Sequence, residues 1–319
     1  MDLTLIYTIL GFVLAAYSVI ANDSVQTLGT FIASNERFKW YWLAAAASAV
    51  LTLTLVYGWT VNDGDITFGR LNKIPYQTIQ WYHAAAPLIL VILTRGGIPV
   101  STTFLVLSAF ASTVILEKVL IKSVVGYGLA ATIAYIVWIC VSYFINEKFD
   151  KVQENRRRAW VIGQWFTTGF LWYTWLSHDV ANIAVFLPRQ LPVELLGVCI
   201  VTLSILLFYI FWDKGGKIQK DIYSKPGTRY TRSATIIDFV YAIILLYFKQ
   251  YNDIPMSTTW VFVGLLCGRE LAISTMNKEY KLRYVFPLIG KDFLKMIFGL
   301  SVSVGIVLSI HYILIPNGF

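Results

Sequence analysis

Ile98-Pro99-Val100-Ser101-Thr102-Thr103-Phe104 and Ile254-Pro255-Met256-Ser257-Thr258-Thr259-Trp260 are one heptad written twice, 156 residues apart. A second pair keeps the same displacement: Asn22-Asp23 near the start and His178-Asp179 past the middle. In each half the proline follows the aspartate by 76 residues. Matched polar signatures in an otherwise apolar chain read as a secondary transporter built from an internal repeat. The halves are placed at 1–145 and 159–319, joined by a basic linker at 146–158.

Of the 319 residues 57% are hydrophobic and 14% charged, with a mean hydropathy of +0.64. A soluble domain carries about 25% charged residues, so the chain reads as an all-α polytopic membrane protein seated in a lipid bilayer. Runs long enough to cross about 30 Å of hydrocarbon fall near 3–20, 40–60, 76–94, 99–116, 122–145, 159–176, 195–212, 233–250, 254–272 and 293–315. The first run lacks a basic start and a small-residue cleavage site, so it is expected to stay in the mature protein. A net charge of +8 does not speak for nucleic acid, because Lys and Arg gather in the loops, where a bilayer puts them. Cys140, Cys199 and Cys267 lie in apolar runs with no His at ligand spacing and are expected to be free, buried thiols. The many Trp and Tyr read as interfacial belts. No nucleotide loop and no catalytic triad order stands out, so an enzyme is not expected, and no cofactor is needed.

Loop charge sets the topology. If each Ser-Thr-Thr segment is the tip of a re-entrant helical hairpin, the loops at 35–39, 146–158, 213–232 and 273–283 lie inside with 16 Lys and Arg. Those at 62–73, 117–122 and 187–195 lie outside with five. Fully crossing hairpins would turn Arg156-Arg157-Arg158 outward, against the positive-inside rule. An inverted repeat with both termini outside satisfies that rule. Residues 3–34 as one helix would be about 48 Å long, so a break is expected at Ala21–Ser24, and likewise for 159–190 at Ser177–Asp179.

Pro99 and Pro255 suit the first turn of a helix. Ser101, Thr102, Thr103 and Ser257, Thr258, Thr259 then bring hydroxyls next to unpaired amides, an arrangement suited to an oxyanion. Two facing half-helix starts would add about one positive charge between them. Asp23 and Asp179 are carboxylates within spanning segments, which mark ion or proton paths. With Asn22, Gln26 and Asn182, each offers oxygen ligands for sodium. His83, His178 and Asp238 read as proton-relay or gating groups, or as buried hydrogen-bonding groups. Arg95 and Lys249 flank the tips and could attract an anion, but are expected to snorkel to the interface.

These boxes together resemble the inorganic phosphate transporter (PiT) family of sodium- or proton-coupled symporters. That family carries Gly-Ala-Asn-Asp-Val-Ala-Asn-Ala-x-Gly-Thr in its first half, Asn-Asp-Val-Ala-Asn in its second, and Pro-x-Ser-Thr-Thr-His in both. Ala21, Asn22, Asp23, Gly29 and Thr30 match the first box. Ser177-His178-Asp179-Val180-Ala181-Asn182 matches the second with His178 in place of Asn. Gln26 stands where the family has Asn, and Phe104 and Trp260 replace the His after each Thr-Thr. The resemblance implies phosphate between the tips, sodium at the Asp boxes and a homodimer as a reasonable assembly.

The expectation is a sodium-coupled phosphate symporter of the plasma or inner membrane. A proton-coupled carrier of sulfate or another oxyanion is the first alternative. An uncoupled anion channel or a sensor is the second.

Overall fold

Asp2 opens the first helix, its carboxylate accepting the Thr4 amide at 3.0 Å. α1 (Leu3–Val19) then enters a π-helical turn at Ile20–Ser24 and continues as α2 (Val25–Ser34). The expected break at Ala21–Ser24 is therefore a widening, and the helix runs through it. The Ser24 hydroxyl donates to the Ile20 carbonyl, and the Thr27 hydroxyl donates to the Ser24 carbonyl at 2.9 Å. Hydroxyls thus take up the Ile20 and Ser24 carbonyls within the wider turn. In the second half α7 (Arg157–Asp179) passes through Val180 into the short α8 (Ala181–Ala184).

The computed structural model describes residues 2–96, 98, 100–111, 113–145, 157–216, 219, 231–251, 256–276 and 282–314. Pro99, Ile254-Pro255, the linker at 146–156 and most of the loop at 213–232 lie outside those residues. The remaining helices are α3 (Trp40–Val61), α4 (Trp81–Arg95), α5 (Thr102–Leu105), α6 (Thr113–Ile145), α9 (Val193–Trp212), α10 (Thr231–Tyr251), α11 (Thr258–Met276) and α12 (Leu282–Ser309). Among the described residues there is no strand, and six helical stretches are long and apolar enough to cross a membrane. These are Leu3–Ser34, Trp40–Val61, Val114–Val141, Val193–Trp212, Thr231–Lys249 and Val285–Leu314. Phe166, Leu53 and Ile162 stand 70% or more exposed. Apolar surface of that extent is compatible with hydrocarbon. The chain is an all-α membrane protein.

The expected span at 99–116 is not one helix. It is divided into α5, a 3₁₀ turn at Leu107–Ala109 and the start of α6. Here the Ser108 hydroxyl donates to the Thr103 carbonyl at 3.2 Å, a side-chain bond that competes with helix continuation. α4, α7 and α11 form where expected but are too short or too polar to be counted among the six stretches.

α1 packs on α4 and α7 on α10, two pairs related by the 156-residue displacement. α3 packs on α9, its own counterpart at that displacement. α6 and α11 lie side by side and run in the same direction. Tyr127 lies against Gly264, Ala131 against Gly268, and the Tyr135 hydroxyl 3.3 Å from that of Thr275.

Several polar and aromatic groups depart from expectation. Trp172 and Trp175 are fully buried and stacked at 4.7 Å, and Tyr241 is buried with them, so the aromatic residues are not all interfacial. Arg269 and Glu270 form a buried ion pair at 2.7 Å beneath the Trp138 ring. Cys199 and Cys267 are buried free thiols as expected, whereas Cys140 is exposed on α6.

Candidate substrate and cation site

Ser101 and Ser257 each cap the helix that follows. Their hydroxyls accept the amides of Phe104 at 3.2 Å and Trp260 at 3.3 Å. The helices accordingly begin at Thr102 and Thr258. Pro99 and Pro255, expected in the first turn, fall before those starts and outside the described residues. The two starts are unequal, because α5 has four residues and α11 has 19. The expectation of two comparable half-helix charges is corrected: α11 alone has enough aligned peptides to develop the full terminal charge.

The threonines that follow turn toward the aspartates. Asp23 Oδ2 accepts from the Thr102 hydroxyl at 2.5 Å, and Oδ1 accepts from Asn22 at 2.6 Å and Thr259 at 3.4 Å. Asp179 Oδ1 accepts from Asn182 at 2.9 Å and Thr103 at 3.4 Å, and Thr258 is a further hydroxyl partner of that carboxylate. Asn182 also donates to the Thr102 hydroxyl at 2.8 Å, linking the two carboxylates through one threonine. Asn22 reaches the Val100 carbonyl at 2.5 Å, and Thr103 reaches that of Met256 at 3.2 Å, tying the first box to the first tip and the first tip to the second. All these side chains are buried.

The residues read from sequence as anion-binding and those read as cation-binding therefore form one cluster. Its oxygens are not all engaged. Asn22 Oδ1, Gln26 Oε1, Asp179 Oδ2 and Asn182 Oδ1 are buried without a hydrogen-bond partner. Buried polar atoms are rarely left so, and oxygen donors of this kind suit a hard cation. No cluster of three or more His, Cys, Asp or Glu fit to hold a metal ion occurs among the described residues.

The three candidate proton groups are not brought into this cluster. His83 Nδ1 accepts the Gln80 amide at 3.0 Å and its ring stacks on Phe110 at 4.2 Å, so it completes the capping box with Gln80, the residue that caps α4. His178, beside Asp179 in sequence, points Nε2 at the Leu245 carbonyl 2.8 Å away. Asp238 is fully buried between α2, α7 and α10, accepting from Thr30 at 2.7 Å and Thr168 at 2.5 Å. Lys249 is half-buried against two aromatic rings. Its ammonium lies 4.2 Å from the Phe68 ring and 5.0 Å from that of Tyr173. Arg95 is exposed beside Tyr17. A cavity of about 280 Å³ lined by Tyr17, Thr94, Arg95 and Asp213 reaches Ala21, the residue before Asn22.

Sequence reasoning missed two residues that hold the second tip. Ser123 Oγ accepts the Ser257 amide at 2.8 Å, and Tyr241 donates to the Thr258 carbonyl at 2.9 Å. A lone Ser on an apolar helix carries no signal of this. Where the resembled family has two histidines, Phe104 and Trp260 pack edge to face at 5.8 Å. Ser123→Ala is expected to leave the buried Ser257 amide unbonded, at a cost of about 1–3 kcal/mol. Thermal unfolding of the detergent-solubilised variant would show it as a lowered midpoint.

No protein-family model and no curated sequence matches the chain. Among solved structures, one described as the sodium-dependent phosphate transporter matches over 99% of this chain and 100% of its own, with a TM-score of 0.69 and 16% identity. The chain shares that transporter's fold over its whole length.

Proposed function

We propose that the chain is a secondary active transporter that takes up inorganic phosphate coupled to sodium. The anion sits between Ser101-Thr102-Thr103 and Ser257-Thr258-Thr259. Sodium sits at Asp23 and Asp179 with Asn22, Gln26 and Asn182. The observation that carries this reading is the sharing of hydroxyl protons between the two residue sets. Thr102 donates to Asp23 at 2.5 Å, and a hydroxyl has one proton to give. A cation at the carboxylate satisfies that charge and frees the hydroxyl to turn to an anion. Sodium thereby raises phosphate affinity without any distant relay, and a coupling of this kind is reciprocal. The transporter fold, found in a sodium-dependent phosphate transporter, agrees with it.

Phosphate is favoured over sulfate because near neutral pH it retains a proton to donate to a carboxylate. The topology proposed is an inverted repeat, with halves at 1–145 and 159–319, two re-entrant hairpins and both termini outside. Two juxtapositions support it. Arg95, at the deep end of the first hairpin, lines a cavity with Asp213 and Gly215 of the loop placed inside. Lys249, at the deep end of the second, meets Phe68 of the outer loop. A homodimer is the assembly carried by the resemblance, and the plasma or inner membrane is the default location for nutrient uptake. Asp238, with its two threonines, favours proton coupling as the second reading.

Radiolabelled phosphate uptake into proteoliposomes, under imposed sodium, potassium or pH gradients and with sulfate as competitor, tests both. Sodium-driven uptake that sulfate does not suppress is the expected result. Uptake driven by a pH gradient and indifferent to sodium transfers the coupling role to Asp238. Flux that follows no ion gradient indicates a channel, and binding without flux indicates a sensor.

A further inference from the structure

Between α1, α4 and α9, on the side proposed to face inward, a cavity of about 280 Å³ is lined by Tyr17, Ala21, Thr94, Arg95, Tyr209 and Asp213. A water takes about 30 Å³ of liquid volume, so the space admits a small ion with several waters. Ala21 is 7% exposed, while the adjoining Asn22 and Asp23 are 0% and 1% exposed. The first aspartate box thus meets open space at its leading residue.

Thr94 stands apart from other threonines within helices. Thr8, Thr52 and Thr132 donate to the carbonyl four residues back at 2.8, 2.8 and 2.9 Å. Thr94 makes no such bond, and its buried hydroxyl has no hydrogen-bond partner in a residue only 6% exposed. Buried polar atoms are rarely left so. Arg95, the next residue, is exposed, with Cζ 5.6 Å from the centroid of the Tyr17 ring. Tyr17 in turn packs beside Tyr209, ring centroids 6.5 Å apart, so aromatic packing holds the guanidinium at the cavity.

Asp213 comes from the end of α9. Lys214, Gly215 and Gly216 follow it at φ +53°, +79° and +62°, a left-handed run that turns the chain back over the helix end. The Gly215 amide donates to the Ile210 carbonyl at 2.9 Å. A Cβ at Gly216 would stand 3.2 Å from Asp213 Oδ2, so glycine there leaves the carboxylate room. Among the described residues no ion pair joins Asp213 to Arg95, although both line one small space.

We propose that Arg95, Thr94 and Asp213 form a release site for a tetrahedral oxyanion that carries a hydroxyl, between the Asp23 cluster and the inner solution. The arginine fork donates to two oxygens of one centre, and the Thr94 hydroxyl donates to a third. The Asp213 carboxylate only accepts, so it takes a hydrogen bond from the anion's own hydroxyl. Hydrogenphosphate has such a hydroxyl, whereas sulfate and the phosphodiester of a lipid headgroup do not. One cation and one anion leave the lining near neutral, which suits passing occupancy, since an ion on its way out must be held weakly enough to leave. That the anion is phosphate leaving the protein rests on the transport reading above; the site itself rests on the cavity and its lining.

Tyr209→Cys in a Cys140→Ser background puts a reporter thiol on the cavity wall, since Cys199 and Cys267 are buried. Its modification by a membrane-impermeant cationic thiol reagent is timed in proteoliposomes of fixed orientation, with reagent on one face at a time. Phosphate is expected to slow modification from the inner face, and sulfate to need about tenfold higher concentration. Arg95→Gln is expected to raise the half-protecting phosphate concentration about tenfold. Asp213→Asn is expected to bring sulfate within about twofold of phosphate. Protection that persists in Asp23→Asn supports an anion in the cavity. Protection lost there would report a change at the tips and overturns the site. Equal protection in wild type and Arg95→Gln, or none from the inner face, also overturns it. Equal rates in phosphatidylcholine and in phosphatidylglycerol-containing liposomes support a free anion. Slowing by the anionic lipid, with no further effect of phosphate, would assign the cavity to a headgroup and overturns the proposal. If the wild type moves no phosphate, the transport reading alone fails, because protection requires binding and no turnover.

Discussion

Asp23→Asn is expected to lower sodium-driven phosphate uptake by about 100-fold or more while the protein still folds. The two carboxylate oxygens accept from different donors, Asn22 and Thr259 on Oδ1 and Thr102 on Oδ2. An asparagine has one oxygen and one NH₂, so either the Asn22 amide faces a second donor or the Thr102 hydroxyl must turn from donor to acceptor. Hydrogen bonds to a charged group are worth about 1.5–3 kcal/mol, and losing one with the cation's counter-charge accounts for a loss of that order. Folding should survive, because the amide has the carboxylate's shape and removes a buried charge. Asp179→Asn supplies the contrast. There Asn182 and Thr103 both use Oδ1, and Oδ2 is unengaged. The new NH₂ can occupy that side while Asn182 and Thr103 keep their bonds to the remaining oxygen, so a fall in uptake in this variant reports chiefly the cation. Unchanged sodium dependence in Asp23→Asn would contradict the assignment of the coupling ion to that box.

The same geometry explains what was legible in the sequence. The paired boxes identified the cluster because hydroxyls, amides and carboxylates are conspicuous in an apolar chain, and a matched 156-residue displacement brings the two sets into one reading. What the boxes do not state is how they face one another. Treating the threonines as anion ligands and the aspartates as cation ligands separates groups that the structure hydrogen-bonds together. The six apolar stretches were legible from hydropathy, but the division of 99–116 into short pieces depends on side-chain bonds such as that from Ser108 to the Thr103 carbonyl. The packing of the Lys249 ammonium 4.2 Å from the Phe68 ring was not legible, because the two residues lie 181 positions apart and neither segment announces the other.

Another part of the fold is written in the sequence in a different alphabet, as Gly264 and Gly268 four residues apart on α11. Small residues at that spacing let two helix backbones approach closely in a membrane. A Cβ on Gly268 would stand 1.9 Å from the Ala131 carbonyl oxygen of α6, and one on Gly264 would stand 2.4 Å from that of Tyr127. Backbone of a packed helix cannot swing aside as a side-chain end can, so α6 and α11 would have to separate along their contact. Gly268→Ala is therefore expected to destabilise the protein by about 3 kcal/mol or more, at or beyond the upper end for overpacking. Gly290→Ala is the control, on α12, where an added Cβ meets nothing within 4 Å. Loss of the monodisperse peak of Gly268→Ala in detergent, with Gly290→Ala unchanged, is the outcome expected from size-exclusion chromatography of the tagged protein. Because α11 begins at Thr258 and α6 carries Ser123, the same separation would pull the second tip from its support. Any Gly268→Ala protein that does fold should therefore lose phosphate affinity as well, though residue 268 is ten positions from Thr258. Wild-type stability and affinity in Gly268→Ala would mean that α6 and α11 are not packed as closely as described.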